Sequence, residues 1–343
     1  MSEPTSAPMP GGAEFVLLLT HDVDRPYKSV QALYHAVERR DLGQLRSLVP
    51  GTNPWWQFEE IRELEASLGV RSAFYFLRER RLLEREPSDW LDPFYWIEHV
   101  GRYDFTAPEM RDLLAELDEG GWEVGLHGSY DSYDDPDRLQ REKALLEAAL
   151  GGSVAGGRQH HLNRGPETWR HHREIGLRYD ATPGSSTEYG FERGYEPLRP
   201  FDDEFVVFPL TLMEAALPDP GEQFDRAWAA CADLLAEADD NDAVMTVLWH
   251  PRLFTERDFP GYRSLYRRLV ETALEMGAWV GPPGEYYELL DHPDGSASGA
   301  ESDRPNGANA DDRAGRGEGQ GGPTSGQAGD NKVKTAANRE PTG

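Results

Sequence analysis

At 343 residues and a formal net charge of −27, the chain is long enough for one large α/β domain or two modest ones. Only four of its 35 basic residues are lysines (Lys28, Lys143, Lys332 and Lys334), and a surface of this sign repels nucleic acid and anionic lipid, which argues against both as partners. Excess Asp and Glu with scarce Lys and abundant Arg resembles the balance of proteins from a halophile's cytoplasm, where concentrated salt screens the self-repulsion that would weaken the fold. Cys231 is the single cysteine, so no intrachain disulfide can form; it falls in a helical pattern and reads as a small core residue. No apolar run reaches membrane length, and Met1 to Gly12 lacks the basic-then-apolar order of a signal peptide, so a soluble, cytoplasmic protein is expected.

Residues 1–13 read as a flexible leader. Phe15 to Leu19 is a short apolar run that ends abruptly in Thr20-His21-Asp22-Val23-Asp24, the pattern of a fully buried strand. Helical spacing follows over Tyr27–Leu48 and again over Gln57–Leu68, where Gly69 serves as the C-terminal cap. Ser72–Leu77 is a second buried strand, and residues 78–105 form an aromatic-rich insertion over one end of the domain. Helix Pro108–Leu117, with Thr106 as its N-cap, leads to strand Trp122–His127. Helix Pro136–Leu150, strand Ser153–Gly157, helix Pro166–Ile175 and strand Leu177–Asp180 then alternate. Strand Phe205–Phe208, helix Phe224–Ala238, strand Ala243–Trp249, helix Pro260–Met276, strand Ala278–Val280 and a short helix Tyr286–Leu290 complete the pattern. Such alternation predicts a parallel (β/α) barrel or a doubly wound sheet. From residue 291 onward the composition is Gly, Ser, Asn, Asp, Ala and Pro, too polar to offset the entropy of ordering, and disorder is expected.

Polar residues recur at the strand ends. Asp22 and Asp24 share one face of an extended chain, and two adjacent carboxylates repel unless a cation or proton relieves them. His127 ends one strand, Arg158-Gln159-His160-His161 follow another, Asp180 ends a third and His250 a fourth. One histidine at a strand end is usually an ordinary polar residue, and an acid pair can simply cap a helix. In a barrel, however, these ends converge on one rim, and the coincidence would have to recur several times. Carboxylates with imidazoles suit a divalent ion of the Zn, Co or Ni kind better than Mg or Ca. Such an ion with open positions, flanked by an acid and a base, is machinery for hydrolysing an amide or ester.

Thr20-His21-Asp22-Val23-Asp24, His127-Gly128-Ser129-Tyr130, Arg158 and Leu248-Trp249-His250 together resemble the ordered motifs of the polysaccharide deacetylases, the NodB-homology group of carbohydrate esterase family four, over residues 14–290. The resemblance implies a distorted (β/α) barrel of about seven parallel strands and metal-dependent removal of acetyl groups from an N-acetylated sugar or glycan precursor. It implies Asp22 as catalytic base, Asp24 and His127 as metal ligands, Arg158 as the residue orienting the base, and His250 as general acid. Two positions depart from the pattern. The family's second ligand histidine, four residues after the first, is here Asp131, so the third ligand is Asp131 itself or a histidine beyond Arg158, with His160 preferred over His161. The family also places an aspartate near Asp180 to position the catalytic histidine, and Asp180 is assigned to the site on that loose correspondence.

Other functions fit less well. A glycosyltransferase would use Asp-x-Asp for a metal-bound nucleotide sugar, leaving the later histidines unexplained. A phosphatase opening on the same motif needs a lysine, and only Lys28 and Lys143 precede the tail. A non-catalytic carbohydrate-binding barrel is compatible with the altered second motif, with Trp55, Trp56, Trp90 and Trp96 as candidates to stack on sugar rings.

Overall fold

The structure is a computed structural model, and it describes residues 8–28, 31–38, 40–49, 52–92, 95–96, 99 and 102–291. The expected tail lies outside the described residues except for Asp291, as does the leader up to residue 7; Pro10–Gly12 forms one 3₁₀ turn.

Among the described residues, nine strands form a parallel sheet: β1 Val16–Val23, β2 Ala73–Leu77, β3 Glu123–Gly128, β4 Gly156–Gln159, β5 Tyr179–Asp180, β6 Val206–Val207, β7 Leu210–Met213, β8 Val244–Leu248 and β9 Trp279–Gly281. Eight follow the order β6-β5-β4-β3-β2-β1-β8-β7, while β9 pairs with β1. Thr20 faces both Ala73 and Leu248, and Val16 faces both Val244 and Trp279. Strand β9 therefore occupies the edge of β1 that β2 uses further along.

The sheet curls into a distorted barrel, and its connectivity requires this. Strands β6 and β7 stand at opposite ends of the order, yet only Phe208 and Pro209 separate them. Three Cα steps span at most about 11 Å, so the two edges must lie close together. Counted as one bent stave, β6 and β7 give the ring its seven members. Strand β7 is absent from the sequence reading, because Pro209 looks like the end of the Phe205–Phe208 run.

The period-2 alternation of β1 sorts its residues. Leu17 and Leu19 point outward with Phe74, Phe76, Val124 and Leu126. There they meet the helices: Phe58 and Ile61 of α2 (Phe58–Leu68), Leu113 of α3 (Pro108–Glu119), Leu235 of α6 (Pro220–Asp240) and Leu269 of α7 (Tyr262–Glu275). Val16 and Leu18 point inward with Tyr75, Tyr179 and Val244, and Tyr286 and Tyr287 of α8 (Pro283–Asp291) plug that end. Room for the tyrosine rings comes from glycine. A Cβ on Gly125 would lie 2.4 Å from the Tyr75 ring, and one on Gly156 2.1 Å from the Tyr179 ring. Cys231 of α6 is fully buried, and burial pushes its thiol up to about 12.

Local departures from expectation have local causes. The Tyr27–Leu48 segment is two pieces, α1 (Gln31–Glu38) and a 3₁₀ helix Leu42–Leu48, parted where Arg40 takes a positive φ and Asp41 accepts from the Gly43 amide. Thr106 does not cap α3. Ala107 holds that position, while the Thr106 amide and hydroxyl both bond to Asp104. The remaining helices are α4 (Pro136–Leu150) and α5 (Thr168–Glu174), and Gly69 closes α2 in the left-handed conformation as expected.

Candidate active site

The inward row of β1 continues from Val16 and Leu18 to Thr20, Asp22 and Asp24, so the barrel interior changes from apolar to charged along one strand. Arg158 occupies the transition. It lies within β4, one residue further into the strand than the Ser153–Gly157 reading allowed, and its guanidinium sits over the Tyr75 ring at 5.2 Å. Its Nε donates to the Ala181 carbonyl at 2.8 Å, and one Nη donates to Thr20 Oγ1 at 3.0 Å and to Asp22 Oδ1 at 2.8 Å. Both partners of this ion pair are buried, so the bond is shielded from water and fixes Asp22. His21, on the opposite face of β1, takes no part. It is held among Trp249, Glu65 and Tyr266 in the layer beneath the helices.

Above Asp22, three side chains converge. Asp24 Oδ1 lies 3.1 Å from His127 Nε2 and 3.7 Å from His160 Nε2. Among the described residues, Asp24, His127 and His160 are the one group whose ligand atoms all lie within 4.8 Å of one another in metal-binding fashion. Asp24 Oδ1 is buried without a hydrogen bond, as expected of an atom shaped for a cation. The His127 Nδ1–H donates to the Arg158 carbonyl at 2.9 Å, which turns Nε2 toward Asp24 and fixes the tautomer a ligand needs. Two imidazoles and one carboxylate fit a divalent transition metal with coordination positions left open.

The preferred third ligand, His160, is thus in the cluster. Asp131 is not, because Arg85, itself buried, holds it at 2.7 Å and pairs also with Glu79 at 3.3 Å. His161 borders the same cavity, but its ring packs edge-on to Tyr130 with centroids 5.3 Å apart.

His250 follows β8 on the far side of Asp24. Its Nε2 lies 3.2 Å from Asp24 Oδ2 and its Nδ1 2.5 Å from Glu214 Oε1. Glu214, directly after strand β7, is 1% exposed. The sequence does carry a signal for it, a short apolar run Leu210–Met213 ending in an acid, the same form as the run ending at Asp22. Asp180 does not fill this place. Its carboxylate accepts from Trp169 Nε1 at 2.8 Å and from the Thr182 hydroxyl, and faces His172 Nδ1 at 3.3 Å, so it braces the β4–β5 region and stays out of the cavity.

The charges are strongly coupled. Burial opposes ionisation of Asp24, but His250, His127 and His160 outweigh it and hold the carboxyl well below its ordinary value. Burial likewise disfavours a charged His250, and Arg252 adds to that; Glu214 and Asp24 prevail and raise the imidazole well above its usual range. His127 is raised against its burial by Asp22 and Asp24. A protonated His250 therefore faces the carboxylates and imidazoles of Asp22, Asp24, His127 and His160 across the site.

These groups border one cavity of about 500 Å³, walled also by Trp55 and Phe259. Trp56 packs instead against Phe58, and Trp90 and Trp96 are exposed on the insertion away from the cavity. Lys28 is no phosphate ligand, because it is buried against Gln44 and Asp258, and Lys143 pairs with Glu147 along α4 at 2.6 Å.

No protein-family model matches the sequence, and no curated protein is similar to it by sequence comparison. Solved structures are similar. A protein of Mycobacterium smegmatis described as a polysaccharide deacetylase aligns with a TM-score of 0.55 and 17% identity, over 83% of this chain and 94% of that one. The Puue allantoinase aligns at 0.54 and 16%, over 85% and 96%. A Pseudomonas aeruginosa PAO1 protein described as a polysaccharide deacetylase aligns at 0.54 and 15%, over 85% and 96%. The chain has the NodB-type distorted barrel of the polysaccharide deacetylases, in a divergent sequence that carries a candidate Asp-His-His metal site.

Proposed function

We propose that the protein is a metal-dependent hydrolase that removes acetyl groups from an N-acetylated sugar or glycan precursor, with zinc as its cation and cobalt or nickel as substitutes. One observation carries this reading. Asp22, held from below by Arg158, the Asp24–His127–His160 cluster and the Glu214–His250 pair all border a single cavity.

Asp24, His127 and His160 would hold the cation, which supplies polarisation of the acyl carbonyl and a more acidic water. Asp22, oriented by Arg158, takes the proton of the water that adds to the carbonyl carbon. When the C–N bond breaks, its electron pair leaves on nitrogen and His250 delivers the proton from Nε2. Glu214 at Nδ1 keeps the ring oriented and charged for that transfer. The acid and the base thus approach the scissile group from opposite sides of Asp24.

The test combines metal content with acetate release from a panel of N-acetylated sugars at high salt. Asp22→Asn is expected to keep its metal and lose about 10²–10⁴-fold in turnover, the size of a lost general base. Undiminished turnover would remove Asp22 from this role, and a metal-free protein that binds sugar without hydrolysing it would favour a non-catalytic barrel.

A further inference from the structure

Two cavity residues have no part in the chemistry described above. Arg25 directly follows Asp24, and Arg252 stands two residues beyond His250; both border the cavity. They bring two guanidiniums to a cavity that also holds the carboxylates of Asp22, Asp24 and Glu214, in a chain whose net charge is −27. Asp22 already has Arg158, and Glu214 already has His250. The Arg252 guanidinium lies 3.5 Å from Asp24 Oδ2, an ion-pair distance longer than a tight hydrogen bond. A guanidinium beside a carboxylate meant for a cation weakens cation binding by like-charge repulsion, so its presence needs another cause. An incoming anion supplies one. The opposite requirement, an apolar surface for a sugar ring, is met by Phe259, which packs on buried Trp55 with centroids 6.3 Å apart. That wall is rigid, because Trp55 Nε1 donates to buried Asp258 at 2.9 Å and Lys28 pairs with the same carboxylate.

We infer that Arg25 and Arg252 form an anion subsite beside the catalytic centre, and that the acylated sugar carries a carboxylate or a phosphate. The inference rests on the hydrolase reading only for calling that ligand a substrate. Calorimetry on chelator-treated protein tests it with three probes: N-acetylglucosamine, its 1-phosphate, and an N-acetylated amino-uronic acid. At least one anionic probe is expected to bind about ten- to a hundredfold more tightly than the neutral sugar, the range of one or two charge-assisted hydrogen bonds, and the better anion identifies the group recognised. Arg25→Gln and Arg252→Gln are expected to bring the ratio of anionic to neutral affinity toward one, while Arg252→Lys, which keeps the charge, retains a preference. Equal affinities in the wild type, no binding of any probe, or a ratio untouched by both glutamine variants overturns the subsite. Anion preference without acetate release from the metal-loaded protein sinks the hydrolase and leaves the subsite; acetate release without anion preference does the reverse.

Discussion

Replacing Glu214 by glutamine isolates the contact proposed to make His250 an acid. The two side chains are nearly isosteric. Glu214 Oε2 is buried without a hydrogen bond, so the amide nitrogen can take its place while the remaining oxygen still faces His250 Nδ1. The perturbation is then the loss of charge from a buried hydrogen bond of 2.5 Å. Bonds to charged groups contribute about 1.5–3 kcal/mol, and about 1.4 kcal/mol corresponds to one pKa unit. His250 should therefore lose its proton about one to two units lower in pH. The assay is turnover against pH, from neutral to alkaline, with metal content measured in parallel. The alkaline limb is expected to move down by that interval and turnover on it to fall about 10–100-fold, while the acid limb and the metal content stay in place, since Glu214 is not among the three ligands. An alkaline limb that does not move in a fully metallated Glu214→Gln protein refutes the assignment of His250 as the acid held charged by Glu214.

The ligand set is tested by a pair of variants. His160→Ala should weaken metal binding by at least about 100-fold, whereas Asp131→Ala, which disturbs only the Arg85 pair, should leave metal content unchanged; the reverse outcome would make Asp131 the ligand. A third prediction concerns stability. Burial raises the Glu123 carboxyl to about 7 from an ordinary 4.5, against hydrogen bonds from Tyr179 and the Gly284 amide. The folded state then binds more protons than the unfolded state between those values, so this stabilisation is complete below about 4.5 and is lost as pH rises through about 7. The loss is on the order of 3 kcal/mol. Glu123→Gln cannot ionise, so the difference between wild-type and variant denaturation free energies should slope across that window; a flat difference would contradict it.

Much of this architecture is legible in the linear chain because the relevant signals are local. A short apolar run bounded by acids marks β1, and strict alternation places Asp22 and Asp24 on one face and His21 on the other. Most of the alternating strands and helices appear in the right order, with their ends displaced by a few residues. His127 and His250 emerge from the same logic, as side chains delivered by the ends of parallel strands. The preference for His160 over Asp131 has no local signal behind it, since nothing in sequence spacing reveals that Arg85 claims Asp131.

What the local signals omit is set by partners far apart in the chain. Strand β7 exists because Leu210–Met213 can pair with β8, and Pro209 disguises it until that pairing is seen. With β7 hidden, Glu214 is one acid among many, and Asp180 is the natural candidate to hold the histidine. Only the closed ring shows that the Asp180 carboxylate is spent on Trp169, Thr182 and His172 while Glu214 reaches His250. Composition, alternation and turn residues act over a few positions and so marked the alternating strands and helices and the inward row of β1; the closed barrel and the identity of each side chain's partner depend on pairing between distant segments, and those were decided only in three dimensions.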